Sequence, residues 1–359
     1  MNKEEKVQQP MDNKKKPYCR FRYWWKYIIA AVIILLLITP VLFFVLFYFE
    51  SKSDKASEAV IRLEAANILN KDPNELTDDD FAKITSFNLN DKVISNISLL
   101  DKFTNLKELQ LWNLHYPKVT VPKWMKILAK LGIYDLDEKF AIDLSPLRKL
   151  YNLESFRLAG TPVKNISSLE SLINLKQLVF KGTHLSNLDT IKGLKKLEDL
   201  NICSSQVSDL EPIKSFINLN KLILADNKIT DLEPLRGLIN LQEFSIASNP
   251  VCNLEPIISF KNLEDLDLDD TSITHLEQIK GLINLQSLRI ERTCVTNLDP
   301  IKELKNLQDL HISGTQVSDI EPIKSLTKLQ TLYMYDYTNI TDQQLEDLKK
   351  ALPNLKIVR

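Results

Sequence analysis

Leucine and isoleucine recur along most of the chain in a unit of 22 residues. In the unit that begins at Leu263, apolar residues stand at positions 1, 4, 6, 11, 14, 17 and 20, and the unit that begins at Leu285 repeats the spacing. The spacing of two predicts a short strand, and the spacing of three predicts a tight helical or 3₁₀ turn on the opposite side of the coil. One such coil cannot bury its own apolar edge. The units must therefore stack into a solenoid.

The repeated pattern L-x-x-L-x-L-x-x-T/N-x-I/V-x-x-L-x-P-I/L-x-x-L-x-N resembles the 22-residue class of leucine-rich repeats, as in internalins and phosphatase-regulatory repeat proteins. The resemblance covers roughly residues 84 to 352. The predicted fold class is an α/β solenoid, a leucine-rich-repeat horseshoe with about eleven parallel strands and helical caps at both ends. One N-terminal transmembrane helix precedes it.

The repeat register sets the predicted domain organisation. Coils begin at Ile84 and Leu106, the period then slips by an insertion at about 115–139, and from Leu153 to Leu329 it does not slip again. The predicted segments are a basic tail (1–26), a transmembrane helix (27–49), a tether (50–57), an N-terminal helical cap (58–83), the repeats (84–336) and a C-terminal cap (337–359).

The segment from Tyr27 to Phe49 carries no charge and is long enough to cross a bilayer as a helix. A cleaved signal peptide is the alternative, but the apolar run is long and no small-x-small cleavage site follows it. Eight basic and three acidic residues precede it, a net +5, so the chain's net charge of −1 leaves −6 for the remainder. The basic flank predicts a single-pass protein with a cytoplasmic N-terminus and an extracytoplasmic repeat domain. This charge balance does not suggest a nucleic-acid partner.

No enzyme motif is present. The four histidines lie on different coils, and the sequence contains no HExxH, no phosphate-binding glycine loop and no CxxC pair. We therefore expect a non-enzymatic protein without a cofactor or metal. Cys203, Cys252 and Cys294 lie at least two coils apart and are predicted to be free thiols, which suits an oxidising exterior poorly. Cys19, beside the membrane segment, is either acylated or unmodified.

Polar residues at position nine are predicted to point inward and to bond the turn backbones. They include Thr161, Thr183, Asn227, Asn249, Thr271, Thr293 and Thr315.

Residues at positions three, five and seven are expected to project from the concave face, because side chains alternate along a strand. They form a charged surface with an aromatic end, and Arg and Tyr are common anchors at interfaces. Three aspartates on one strand repel one another, so the arginines of the next strand are expected to offset them. A solvated mixed-charge surface is the alternative, and a metal on the aspartates is another. The candidate residues on this face are Arg157, Asp265, Asp267, Asp269, Arg289, Glu291, Arg292, His311, Tyr333 and Tyr335.

The insertion is the second candidate site. Trp124, Ile127, Leu128 and Leu131 form an apolar stripe at helical spacing, which packs on the solenoid edge in the simplest interpretation. Alternatively Trp112, Tyr116 and Trp124 form an aromatic contact site, or the basic helix lies on the membrane.

These features predict non-enzymatic recognition of a protein, or of a glycan, by a membrane-anchored leucine-rich-repeat domain. The expected partners are a protein on the concave face and the lipid bilayer through 27–49. The alternative is a cytoplasm-facing scaffold that regulates an enzyme such as a phosphatase, which the free cysteines favour and the basic flank disfavours.

Overall fold

The structure, a computed structural model, describes residues 53–114, 141–183, 185–335 and 339–359. The chain divides into Met1–Ser53 and a compact unit, Asp54–Arg359. The predicted transmembrane segment 27–49 and the predicted insertion 115–139 lie outside the described residues. Across the described ranges, no helix has both the length and the apolar character needed to span a membrane.

In the part of the chain that the structure describes, parallel strands form one main sheet of 12 strands and a separate pair. Strands are numbered in chain order; the pair is β3 (Ile142–Asp143) with β5 (Val163–Lys164). The main sheet contains β1 (Ser86–Asn88), β2 (Glu108–Trp112), β4 (Ser155–Ala159), β6 (Gln177–Lys181), β7 (Asp199–Cys203), β8 (Lys221–Ile223), β9 (Glu243–Ser245), β10 (Asp265–Asp267), β11 (Ser287–Arg289), β12 (Asp309–His311), β13 (Thr331–Tyr333) and β14 (Lys356–Val358).

The register of the main sheet follows the repeat. Leu266 of β10 pairs with Leu288 of β11, one unit further along the chain. Glu108 of β2 pairs with Ser155 of β4, which is 47 residues away and so 25 beyond one unit, as the predicted insertion requires. The first eleven strands of the sheet are those that the repeat predicts. The twelfth, β14, lies in the segment predicted only as a cap.

Ten short 3₁₀ helices in the described residues form the return segments, one of the two forms that the spacing of three predicted, whereas the chain leaves β13 through the α-helix Asp342–Ala351. Six of these helices carry proline in their first turn, where its fixed φ suits a helix start. The 3₁₀ helices are Ser98–Lys102, Ser145–Lys149, Ile166–Ser171, Asp189–Ile191, Glu211–Ile213, Glu233–Leu235, Glu255–Ser259, Glu277–Ile279, Asp299–Glu303 and Glu321–Ser325.

The core is continuous along the stack. In the coil of β10, the apolar residues at all seven repeat positions, from Leu263 to Leu282, are fully buried. The described core residues run from Ile61 to Leu355, all inside the unit Asp54–Arg359. Apolar burial is the main stabilising contribution to folding, and this unit supplies its own core. The unit Asp54–Arg359 therefore has a hydrophobic core of its own, and residues 53–359 contain all of it.

Helical segments cover both ends of the stack. Residues 53–69 are helical (α1), so the helix already includes 53–57, which the sequence assigned to a polar tether. The reason is packing, because Ser57 is buried and its hydroxyl accepts a hydrogen bond from the Ser95 amide. A capping box at Thr77 opens α2 (Asp78–Phe81). The C-terminal helix α3 (Asp342–Ala351) starts with a second capping box at Thr341.

Candidate functional site

Most of the asparagine and threonine side chains at position nine are buried, and they hydrogen-bond the backbone in two different ways, one for asparagine and one for threonine. The Asn227 amide donates to the carbonyls of Ile202 (2.8 Å) and Leu224 (2.9 Å), and its oxygen accepts from Val207 (3.1 Å). Asn249 repeats this arrangement one coil later. Asparagine thus joins neighbouring coils, as a buried polar side chain with a donor and an acceptor can.

Threonine at the same position bonds only within its own coil. Thr271 donates to the Leu268 carbonyl and Thr293 to the Ile290 carbonyl, each at 2.7 Å. The hydroxyls of Thr161 and Thr183 are buried with no hydrogen-bond partner in the structure, so the predicted ladder is wrong at those two positions. A single hydroxyl reaches fewer backbone groups than an amide does.

In the repeat coils whose position eight the structure describes, that residue lies in the left-handed backbone region. Position eight is glycine at Gly160, Gly182 and Gly314. Asp270 and Arg292 occupy the same left-handed region, with φ of 56° and 52°. Glycine, asparagine and aspartate tolerate this region, whereas arginine is uncommon there. Arg292 is therefore held in a strained conformation at the end of its strand.

Charged side chains of β10 and β11 pair with one another, as the sequence predicted. The Arg292 guanidinium donates to both Asp270 oxygens at 2.7 Å, and it lies 3.3 Å from Glu291. These contacts lower the pKa of Asp270, mainly through the Arg292 hydrogen bond. Arg289 contacts Asp267 at 3.7 Å and Asp269 at 2.9 Å.

Asp269 does not project from the sheet, contrary to the prediction. Its residue surface is 4% exposed, and its carboxylate accepts two hydrogen bonds from Arg289 and one of 2.6 Å from the Glu291 amide. Burial and the charge of Asp267 raise the pKa of Asp269 to about 6. Burial also raises the pKa of Asp265, which is partly exposed on the same strand. Asp269 therefore supports the surface from below.

The position-seven side chain of one coil can hold the position-seven amide of the next coil. Asp269 accepts from the Glu291 amide, the Ser313 hydroxyl accepts from the Tyr335 amide (3.0 Å), and Asn90 accepts from the Trp112 amide (2.8 Å). In each case the held residue is a candidate contact residue. The repeat pattern gave no sign of this role for Asn90 and Ser313, because position seven varies freely in residue type.

Aromatic side chains continue the surface across β12 and β13. The rings of His311 and Tyr333 stack with centroids 4.0 Å apart, and His311 Nδ1 lies 3.3 Å from Glu291. Burial lowers the pKa of His311, so the imidazole is neutral at pH 7 and Nδ1–H donates to the carboxylate. Tyr335 is 43% exposed at the end of the row.

These residues together form what we call the strand-face patch: Asp265, Asp267, Arg289, Glu291, Arg292, His311, Tyr333 and Tyr335, supported by Asp269. Hydrogen bonds and stacking fix most of its side chains before any partner arrives. Across the described ranges, no group of three or more His, Cys, Asp or Glu residues is placed to hold a metal ion.

The remaining predicted contact residues lie away from the patch. Arg157 on β4 donates to Gln177 (2.8 Å), which in turn donates to Asp199. Trp112 ends β2, and its indole nitrogen is buried without a hydrogen-bond partner. Tyr116 and Trp124 lie outside the described residues, so the aromatic contact site remains a prediction.

The three cysteines of the repeats are free thiols, as predicted. Cys252 and Cys294 are exposed, whereas burial raises the pKa of the Cys203 thiol. Cys19 lies outside the described residues.

The geometry agrees with comparisons to known proteins. A family model described as leucine-rich repeats (2 copies) matches residues 217–259 and 305–350. The chain therefore contains leucine-rich repeats, and the solenoid is their fold. A search of the curated proteins finds no match.

Solved structures share the fold at low sequence identity. An internalin (InlF) from Listeria monocytogenes superposes with a TM-score of 0.66 and 22% identity over 83% of this chain and 87% of that chain. A leucine-rich-repeat protein of Leptospira interrogans gives 0.61 and 23% over 78% and 73%. The octameric complex of latrophilin 3, Unc5D and the leucine-rich repeats of FLRT2 gives 0.57 and 15% over 76% and 83%.

Proposed function

We propose that this protein is a non-enzymatic recognition protein that binds a protein partner through the strand-face patch. The observation that carries the proposal is the fixed array of arginine, histidine and tyrosine side chains on β11 to β13. Arg and Tyr are the residue types most often found to dominate binding energy at interfaces. A surface whose side chains are already ordered loses less conformational entropy when it binds.

Leucine-rich-repeat proteins of similar fold support the proposal. FLRT2 contributes its leucine-rich repeats to a complex with latrophilin 3 and Unc5D. The likeness to this chain concerns the fold, so the partner class is transferred here only as a proposal. A glycan is the other ligand that an extended polar face could accept.

The proposal includes membrane anchoring. Residues 27–49 are uncharged and apolar, and basic residues dominate the segment before them. The repeats follow the pattern of the 22-residue class. In this proposal the chain crosses the membrane once, and the repeat domain lies on the extracytoplasmic side.

A cytoplasm-facing scaffold that regulates an enzyme, such as a phosphatase, is the second candidate. The observation that favours it is the set of three free cysteines, two of them exposed. Thiols persist unpaired in reducing compartments.

Protease treatment of intact and lysed cells separates the two candidates. Extracytoplasmic anchoring predicts that protease digests the repeats in intact cells. If an outer layer of the cell shields the repeats, digestion should occur once that layer is removed in spheroplasts. Protection in both, with digestion only after lysis, would reject the topology and favour the scaffold.

Partner binding through the patch is tested by affinity capture from the source cells, comparing the wild type with an Arg292→Ala/Tyr335→Ala double variant. The amount of a captured protein that binds the patch should be at least tenfold lower with the double variant than with the wild type, because two anchor residues are lost. An Ile223→Ala variant on β8 should leave its abundance unchanged. Equal recovery with all three proteins would exclude the patch.

A further inference from the structure

The edge of the solenoid just before the strands exposes a row of large apolar side chains. They occupy position 21 in five of the seven coils from Tyr151 to Ile283, and each is between 54% and 58% exposed: Tyr151, Ile173, Ile217, Ile239 and Ile283. Six coil steps separate the first from the last, which at about 4.8 Å per step is roughly 29 Å. Single exposed apolar residues are ordinary, but a straight row of this length is not.

Lysines complete the same edge. Position 21 is lysine at Lys195, Lys261 and Lys305 and threonine at Thr327, and position 22 is lysine at Lys196 and Lys328. From Tyr151 to Lys328, positions 21 and 22 contain no Asp or Glu. We call this surface the Ile–Lys edge.

Neutral oxygens, and not carboxylates, hold these lysines. Lys305 donates to the Ser325 carbonyl at 3.1 Å, Lys261 lies 3.4 Å from the Gly281 carbonyl, and Lys195 bonds the Ser215 hydroxyl. Lys196 and Lys328 each donate to an asparagine oxygen at 2.8 Å. The contacts orient the ammonium groups along the edge and leave their charge uncompensated within the described residues.

The backbone of the edge needs no further partner. The asparagine at position 22 donates to the position-21 carbonyl of the preceding coil, for example Asn240 to Ile217 (2.8 Å) and Asn306 to Ile283 (2.9 Å). Beside this row runs an open polar groove of about 470 Å³, lined by asparagine, glutamine, Glu264 and Lys328. The edge thus offers apolar contact, positive charge and adjacent amide groups.

We propose that the Ile–Lys edge lies on a lipid bilayer that contains anionic headgroups. Apolar side chains entering the headgroup region together with lysines that contact anionic lipids are the two contributions that hold amphipathic surfaces at membranes. Two copies of the chain meeting edge to edge would bring lysine rows together, which opposes self-association. This contact uses a different surface from the proposed partner site and does not depend on residues 27–49.

The test uses residues 53–359, which lack the apolar segment and contain the whole core. Co-sedimentation is measured with phosphatidylcholine vesicles and with equimolar phosphatidylcholine and phosphatidylglycerol vesicles. We expect binding to the anionic vesicles that weakens as salt is raised, and little binding to the neutral ones.

Two variants and a matched control locate the contact. Ile217→Asn/Ile239→Asn/Ile283→Asn and Lys195→Gln/Lys261→Gln/Lys305→Gln should each weaken binding at least tenfold, since several apolar or several basic contacts are lost together. Lys164→Gln/Lys181→Gln/Lys228→Gln makes the same charge change away from the edge and should bind as the wild type. Circular dichroism verifies that all four proteins are folded.

Three results would overturn the proposal. They are no sedimentation of the wild type, equal binding to neutral vesicles, and equal loss in the matched lysine control. Concentration-dependent dimerisation that the isoleucine variant abolishes would instead assign the edge to a second copy of the chain.

Discussion

The coils of β8 and β9 differ from those of β10 and β11 although their backbones share one register. In the first pair, position seven is alanine and position nine is asparagine, as in Ala225 and Asn227. In the second pair, position seven is Asp269 or Glu291 and position nine is threonine. The first pair joins its coils from within through asparagine. The second uses Asp269 and Arg289 nearer the surface.

This difference teaches that a side-chain bond between neighbouring coils can come from different positions of the repeat. Asn227 supplies it in the interior, and Asp269 supplies it at the strand end through the Glu291 amide. Because the bond made by Asp269 lies nearer the surface, Arg289 and Glu291 lie where a partner can reach them. We infer that stability and surface chemistry are coupled in the second pair and separate in the first.

The largest expected effect comes from breaking the interior bonds of the first pair. Asn227→Ala removes four hydrogen bonds and leaves buried backbone groups unpaired, so we expect a loss of about 3 kcal/mol in the free energy of unfolding. Thr271→Val in the second pair removes one bond and should cost about 1 kcal/mol. Urea unfolding of residues 53–359 measures both. Equal costs would contradict the distinction.

Arg289→Ala should cost about 2 kcal/mol, because it leaves the Asp269 carboxylate buried without its guanidinium. The figure is below that of a fully buried pair because the Arg289 side chain is 41% exposed. Adding Asp269→Asn removes the uncompensated charge, so the double variant should unfold at higher urea than Arg289→Ala alone. A double variant of lower stability would show that the pair acts through packing alone.

The two acids of the second pair should titrate with opposite signs. The folded-state pKa of Asp269 is raised from 3.8 to about 6, so its contribution stabilises below the unfolded value and is lost as pH rises through 6. The pKa of Asp270 is lowered, so its contribution is present above 3.8 and is lost as pH falls.

Urea midpoints measured from below pH 3.8 up to pH 7 test this sign difference. Relative to the wild type, Asp269→Asn should become more stable as pH rises from 3.8 through about 6. Asp270→Asn should become less stable relative to the wild type as pH rises toward 3.8, and the difference should stay constant above that pH. A flat difference for Asp269→Asn would show that its carboxylate titrates normally.

The smallest effect on stability should come from Arg292→Gly. Glycine relieves the left-handed strain, while the Asp270 ion pair is lost, so the net change should stay within about 0.5 kcal/mol. Partner binding should nevertheless weaken, because the guanidinium is gone. Ser248→Gly changes the equivalent position in the coil of β9 and should leave binding unaltered.

The repeat period was sufficient to predict the eleven repeat strands, the return segments and the buried apolar positions. The repeat period predicts the wrong side-chain direction for Asp269. Alternation places positions three, five and seven on one face, but β10 ends at Asp267 and the chain turns at Asp270. Leu268 and Asp269 lie beyond the strand, and the Asp269 side chain points inward, where Arg289 and the Glu291 amide bond to it.

Pairwise contacts between coils were predictable only where charge required them. Opposite charges on neighbouring strands indicated that the arginines offset the aspartates, and they do. The stacking of His311 on Tyr333 and the amide bonds of Ser313 and Asn90 depend on side-chain direction, which spacing does not specify. The left-handed conformation of Arg292 was equally hidden, because arginine is not typical of that backbone region.

Two exposed tyrosines allow a direct test that the strand-face patch is the protein-binding surface. A photoreactive phenylalanine derivative replaces either Tyr335 on the patch or Tyr151 on the Ile–Lys edge, in the full chain expressed in its own cells. We predict that irradiation joins the Tyr335 variant to a protein and leaves the Tyr151 variant without a protein adduct. Protein adducts from Tyr151 with none from Tyr335 would contradict the assignment of the two surfaces.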